Sequence, residues 1–172
     1  EATFVARTID RSPQHLQEIL KAAYEHKGTA FVEILQNCPI FNDGAFSQAT
    51  ESDTKNDSVV LLQEGQPLVF GNDHDKGVRL SGTELEIVDL KTHPNARDTL
   101  LVHDSTRADP TPAFLLSRLE NPQHPIAVGV FRNVRRPAYD EMLTEMVAKA
   151  RRKETPDLQA LITGPETWTV TG

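Results

Sequence analysis

Apolar and polar positions follow two different rhythms along this chain. Up to residue 37 they spell one βαβ unit. Residues 3–9 (Thr3-Phe4-Val5-Ala6-Arg7-Thr8-Ile9) form a run of buried-strand type. Ser12-Pro13 then opens a helix, with Ser at the N-cap and Pro at the first helical position. Leu16, Ile19, Leu20 and Ala23 recur at helical spacing, and Gly28 is the expected stop. Residues 29–35 follow as a second strand. Connections this short fit a right-handed crossover between parallel strands.

Asn42-Asp43-Gly44 marks a turn, and residues 47–58 are almost entirely polar. The pattern places a linker at 47–58, between an α/β segment at 1–46 and an extension at 59–172. Beyond the linker, short apolar runs alternate with tight turns. Val59-Val60-Leu61-Leu62 and Leu68-Val69-Phe70 flank Glu64-Gly65-Gln66, which predicts a hairpin. Residues 78–80 and 85–88 continue a small antiparallel sheet, and Leu100-Leu101-Val102 is a further apolar run. Residues 112–119 read as helix and 126–131 as a buried strand. The most regular helix is 139–152, with Asp140 and Glu141 in its first turn and Arg151 and Arg152 in its last. Its stripe of Met142, Leu143, Met146, Val147 and Ala150 is expected to be core. Trp168-Thr169-Val170 is expected to dock as a strand. The fold class is thus α/β: the βαβ end of a parallel sheet followed by a small α+β C-terminal extension.

Composition narrows the function. With 172 residues, 38% hydrophobic and 25% charged, the chain has the make-up of an ordinary globular domain with a proper core. Its net charge of −7 argues against a nucleic-acid surface, which needs a basic footprint. The pair Arg135-Arg136 and the run Arg151-Arg152-Lys153 are too short to reverse that. No apolar run approaches the roughly 20 residues that span a bilayer, and no signal-peptide pattern opens the chain. A single cysteine excludes an internal disulfide and fits a reducing compartment, so a cytoplasmic location is expected. The chain opens on a core-type strand without an initiator Met, which predicts a piece of a longer protein.

Candidate chemistry is sparse. His15, His26, His74, His93, His103 and His124 are scattered, without metal-ligand spacing, and most are expected on the surface or in loops. Asn72-Asp73-His74-Asp75-Lys76-Gly77 starts like a calcium loop but lacks the closing Glu, so a polar turn is expected. His103-Asp104-Ser105 carries triad residue types, yet neighbouring side chains diverge. Asp104, Asp109 and Pro110 are expected to cap the helix that follows. No glycine-rich phosphate loop is present. That leaves Cys38, at the exit of the second strand, where open α/β sheets collect their ligands. A free cysteine is commonly buried and inert. A catalytic thiolate needs a base or a helix N-terminus beside it, and no motif supplies one. A cluster ligand needs three more thiolates, none of which this chain has.

Ala2-Thr3-Phe4-Val5-Ala6-Arg7, followed by residues 27–44 around Gln36-Asn37-Cys38-Pro39 and Asn42-Asp43-Gly44, closely resembles the β subunit of the 2-oxoacid:ferredoxin oxidoreductases, with the best likeness to 2-oxoglutarate enzymes of actinobacterial type. The likeness continues in Val102-His103-Asp104, Phe114-Leu115-Leu116-Ser117-Arg118-Leu119, Gly129-Val130-Phe131-Arg132, Arg136-Pro137-Ala138-Tyr139-Asp140 and Thr167-Trp168-Thr169-Val170. It implies the carboxyl-terminal half of a subunit that binds thiamine diphosphate with magnesium and carries one 4Fe-4S cluster. In that family a Cys-x-x-Cys, a third cysteine and a Gly-Asp-Gly cofactor segment lie upstream, and none of them is present here. Only Cys38 carries over residue by residue, as the fourth cluster ligand; no catalytic or cofactor-binding residue is assigned in this half. The 1–46 segment would then be the end of the thiamine-diphosphate-binding domain. The implied reaction is oxidative decarboxylation of a 2-oxoacid, most simply 2-oxoglutarate, to acyl-coenzyme A with electrons passed to ferredoxin. The upstream half of the subunit and an α subunit are the implied partners, and these residues alone are expected to hold no cofactor and to be inactive. Two other functions compete: a non-catalytic assembly module from about residue 58 onward, and a free-standing thiol enzyme using Cys38.

Overall fold

The computed structural model describes residues 2–153 and 157–172. The chain divides into two compact units, residues 1–136 and 137–172.

The first unit is built on a mixed four-stranded sheet. Strand β1 (Phe4–Ile9), helix α1 (Pro13–Glu25) and β2 (Ala30–Leu35) form the expected parallel βαβ unit, with Phe4 opposite Ala30 and Ile9 opposite Leu35. Ser12 stands at the N-cap, although its hydroxyl caps nothing. The helix ends at Glu25 and the chain turns back through Gly28, whose φ is +131°. A Cβ there would lie 2.6 Å from Thr3 Oγ1, so only glycine fits between the helix end and β1. Phe4 and Ala6 pack against Ile19 on the α1 side of the sheet.

Residues 47–58 are not a bare linker. They fold as two short helices, α2 (Ser47–Thr50) and α3 (Lys55–Ser58), and Ala49 is buried against Ile9, Leu35, Ile126 and Val128. Nor do the segments on either side form separate layers. Strand β3 (Val59–Leu62) pairs in parallel with β7 (Ile126–Asn133), which runs antiparallel to β1. The sheet order is β2-β1-β7-β3, so two strands from beyond residue 58 complete the sheet that β1 and β2 begin.

The expected hairpin between 59–62 and 68–70 does not form. Instead β4 (Val69–Phe70), β5 (Lys76–Ser81) and β6 (Glu84–Asp89) make a separate antiparallel sheet, of which the β5–β6 hairpin matches the expectation. The run 100–102 contributes only isolated bridges, Val102 to Pro67 and Leu100 to Arg79. After a 3-10 turn at Pro94–Thr99, helix α4 (Thr111–Ser117) lays Leu116 over Val60, Leu62, Phe70, Val78, Ala127 and Phe131. This cluster is the main core, and it joins the two sheets. Burying apolar side chains at roughly 25 cal/mol per Å² is what holds β3 here instead of against β4.

The second unit contains α5 (Tyr139–Lys153) and α6 (Leu158–Thr163). Helix α5 has the predicted charge order at its ends, and Glu141 accepts from the Ala138 N–H at 3.1 Å. Its apolar stripe is nevertheless not core: Met142, Leu143, Met146 and Val147 are all exposed. Residues 164–172 form no strand, and Trp168 and Val170 lie open to solvent. The expectation for α5 rests on periodicity, which shows that a face is apolar but not what covers it.

Candidate functional site

Cys38 lies three positions beyond Leu35, the last residue of β2, in a short loop at the carboxyl end of the β1–β2 pair. It is half-buried. The loop closes on itself: the Asn42 N–H donates to the Cys38 carbonyl at 2.9 Å, and the two residues form an isolated antiparallel bridge. The backbone N–H of Phe41, then those of Ile40 and Asn42, hold the Cys38 thiol below its ordinary pKa, against a desolvation that pushes it up. A sulfur facing main-chain N–H groups is favoured as thiolate, the form that ligates metals. Ile40 and Phe41 themselves turn outward, fully open to solvent.

The loop is tied at its base by Asn37. Its Oδ1 accepts the Gly44 N–H at 2.8 Å and its Nδ2 donates to Asp43 Oδ1 at 2.9 Å. In the sequence Asn42-Asp43-Gly44 reads only as a turn. The signal for a brace was present in an amide residue six positions ahead of an aspartate.

The other candidates separate. His103 and Ser105 are buried, not in surface loops, but they do not face each other: His103 Nε2 meets the Val130 carbonyl at 2.8 Å, and the Ser105 N–H donates to Glu64 at 3.0 Å. Asp104 turns back on Thr106 and caps no helix, whereas Asp109 accepts from the Thr111 N–H at 3.0 Å at the start of α4. His26, also half-buried, bridges Thr3 and Asn133 at 2.8 and 3.0 Å. Of the six histidines, His74 and His93 are the exposed ones. In the 72–77 segment, Asp73 and Asp75 both pair with Lys91, at 2.7 and 2.9 Å, which is the chemistry of a closed ion-pair turn. Among the described residues no group of three or more His, Cys, Asp or Glu could hold a metal ion.

A cavity of about 760 Å³ opens on the α1 side of the sheet, floored by Val59, Leu61 and Val128, with His15, Lys55 and Arg97 in its wall. His15 bonds Thr8 Oγ1 through Nδ1 at 2.8 Å, and burial lowers its pKa against the pull of Glu18. Residue order alone does not reveal this space, because its walls come from segments far apart in the chain.

The mixed α/β fold has a counterpart among solved 2-oxoacid oxidoreductases. The solved structure of a 2-oxoglutarate:ferredoxin oxidoreductase from Magnetococcus marinus, with 2-oxoglutarate, coenzyme A and succinyl-CoA bound, matches 96% of this chain with a TM-score of 0.57. At 21% identity that match speaks for the fold alone. The sequence is more specific: it is 43% identical, over 99% of its length, to the 2-oxoglutarate oxidoreductase subunit KorB of Mycobacterium tuberculosis. Shorter stretches of 41 residues are 51% and 54% identical to 2-oxoacid:ferredoxin oxidoreductase β subunits of Saccharolobus solfataricus and Aeropyrum pernix. No family model matches the chain. Together these matches make the chain similar to 2-oxoacid:ferredoxin oxidoreductase β subunits, the likeness that the cysteine block implied. The chain spans less than half the length of the relatives it matches, 46% of the Mycobacterium subunit and 41% of the Magnetococcus chain. Among the described residues no helix is long and apolar enough to cross a membrane.

Proposed function

We propose that these residues are the carboxyl-terminal half of the β subunit of a 2-oxoacid:ferredoxin oxidoreductase that acts on 2-oxoglutarate. The observation that carries this reading is the 43% identity to the Mycobacterium subunit over 99% of this chain. The assembled enzyme decarboxylates its substrate oxidatively, passes the acyl group to coenzyme A and the electrons to ferredoxin, and works in the cytoplasm. Residues 1–46 belong with the thiamine-diphosphate-binding domain of that subunit. In such an enzyme thiamine diphosphate with magnesium supplies the electron sink for decarboxylation, and a 4Fe-4S cluster takes the electrons away singly.

This chain's own part is at Cys38. Its donor chemistry fits one corner of such a cluster: a single thiolate favoured by main-chain N–H groups. The other three thiolates would come from outside these residues, since Cys38 is the chain's only cysteine. Cys38, itself half-buried, would be held at the carboxyl end of β1 and β2, where a cofactor crevice is expected. On its own the chain would hold neither cluster nor thiamine diphosphate and would turn nothing over. A second role is favoured by one observation: the exposed apolar face of α5 suits assembly with an α subunit.

The test is iron and acid-labile sulfide per β subunit in the anaerobically purified, assembled enzyme, for wild type and Cys38→Ala. About four irons per subunit are expected in the wild type, with most of them lost in the variant. Full iron in Cys38→Ala would return Cys38 to the inert class.

A further inference from the structure

The cavity of about 760 Å³ beside α1 takes its wall from several places in the first unit: the start of α1, the α2–α3 segment, β3 and β4 with the turn between them, and the 3-10 turn. Its floor is aliphatic. Leu61 stands opposite Val128 in the β3–β7 pair, with Val59 beside them, and Leu61 is 50% exposed although it belongs to the main sheet. Water lying on such a floor is released when an apolar body covers it. The charge of the wall runs against that of the chain. Asp and Glu outnumber Lys and Arg by 25 to 18 in the sequence, yet no carboxylate lines the cavity, whereas Lys55, Arg97, His15 and His74 do. Carboxylates behind the wall are already engaged: Asp57 with Lys76 at 2.7 Å, Asp75 with Lys91 at 2.9 Å, and Glu18 with Gln14 at 3.2 Å. Lys55 has no carboxylate partner among the described residues, and Arg97 gives one nitrogen to the His74 carbonyl at 3.3 Å. A cleft lined by one sign of charge over an apolar floor focuses the field and concentrates counter-ions.

We propose that this cavity is a binding site for an organic anion with an apolar body, its carboxylate or phosphate head held by Lys55 and Arg97 and its hydrocarbon on Val59, Leu61 and Val128. The space falls within the range of about 300–1,000 Å³ that takes a whole small molecule, and a lone inorganic anion would leave the floor wet. Gln63 and Gln66, whose side chains make no hydrogen bond among the described residues, supply further donors and acceptors in the same wall. Cys38 is not among the lining residues, so the site is separate from the cysteine loop and does not rest on the cluster reading.

The test is isothermal titration calorimetry on the assembled enzyme with four probes. Octanoate and octyl phosphate carry the two heads on one body; octanol is the body without charge, and inorganic phosphate is the charge without body. One or both of the amphiphilic anions is expected to bind, and the tighter of the two names the head. Octanol and inorganic phosphate are expected to bind about tenfold more weakly or worse, since each lacks one half of the recognition. Lys55→Gln and Arg97→Gln are each expected to weaken the amphiphile by about 2- to 5-fold, as exposed charges do, and together by roughly the product of the two. Leu61→Asp, which puts a like charge on the floor, is expected to weaken it by about tenfold or more. No binding of either amphiphile at millimolar concentration overturns the proposal, as does binding unchanged in the Lys55→Gln, Arg97→Gln double variant, which would place the probe elsewhere. Displacement of the probe by 2-oxoglutarate or coenzyme A would assign the cavity to the reaction's own substrates and overturn it as a further site. Should Leu61→Asp fail to fold, the double charge variant decides alone, because both of its positions are exposed.

Discussion

Gly129 stands opposite Leu62 in the parallel β3–β7 pair, so close that a Cβ on the glycine would fall 2.8 Å from Leu62 Cβ and 2.9 Å from the Leu62 carbonyl oxygen. The glycine is also held at φ +135°, beside the register shift in β7 where it pairs with β1. This is the point at which a strand from the far side of the polar segment is admitted to the sheet. Gly129→Ala should therefore destabilise the fold by about 2–4 kcal/mol, combining backbone strain with overpacking. Urea titration checks it; a loss below the scatter of ordinary surface substitutions would mean that the strands separate without cost.

Arg132 is buried and donates to the Arg107 and Ala108 carbonyls, at 3.2 Å each, while His103 and Ser105 lie buried in the same loop. Arg132→Met keeps the volume and leaves those carbonyls without their donor. A loss of about 2–5 kcal/mol is expected, since breaking a buried charged hydrogen-bond set costs more than its net worth when intact. Thermal unfolding with far-UV circular dichroism measures it. An unchanged melting temperature would show that water replaces the guanidinium freely.

Acid should weaken the fold through a definite set of carboxylates. Asp75 is held below its usual pKa mainly by Lys91, Asp89 by the Thr92 and Lys91 N–H groups, Asp104 by Thr106 and Asp109 by Thr111. A carboxyl whose folded pKa lies below its unfolded value contributes stability above the unfolded value of about 3.9. That contribution is lost as pH falls through the folded value. Through these carboxylates urea midpoints should decline below about pH 4, on top of an earlier loss below about pH 6.5 from His15, whose burial lowers its pKa, and Asp89→Asn should flatten the decline below pH 4. All four groups are near the surface, so salt shrinks the Lys91 part of the effect. A decline equally steep in Asp89→Asn would remove Asp89 from the set.

Met146 is 61% exposed on the apolar face of α5. Met146→Asp should leave the chain's own unfolding within about 0.5 kcal/mol of wild type, as surface changes do. Its effect is expected in subunit association instead, read by analytical ultracentrifugation of the assembled enzyme. A large loss of chain stability with association intact would reverse that order.

Much of the local structure was legible. The βαβ unit was read correctly because its three elements are consecutive, carry their own start and stop residues, and pair with each other. The β5–β6 hairpin was legible for the same reason. The largest errors were non-local. Leu62 and Leu68 sit on either side of a tight turn, yet the first strand leaves to meet β7, some 65 residues on, since that places Val60 and Leu62 in the core with Leu116 and Phe131. The histidines looked loose because nothing in their spacing reveals that Val130 carries the acceptor for His103. At the candidate site the cysteine was legible and its brace was not: Asn37 reads as one polar residue among several until the turn at Asn42-Asp43-Gly44 brings it back to Gly44.

By itself the sequence determined the βαβ start, helices α4 and α5, a lone thiol at a strand exit and the likeness those residues carry. These follow from periodicity, capping and residue type, which act over a few neighbouring positions. The tertiary structure alone decided which strands share a sheet, that Ala49 anchors an otherwise polar segment, that the α5 stripe is left open, and that one amide closes the loop around Cys38. Each of these is settled by burial and hydrogen bonding between residues far apart in sequence or across a turn, and those energies exist only once the chain has closed.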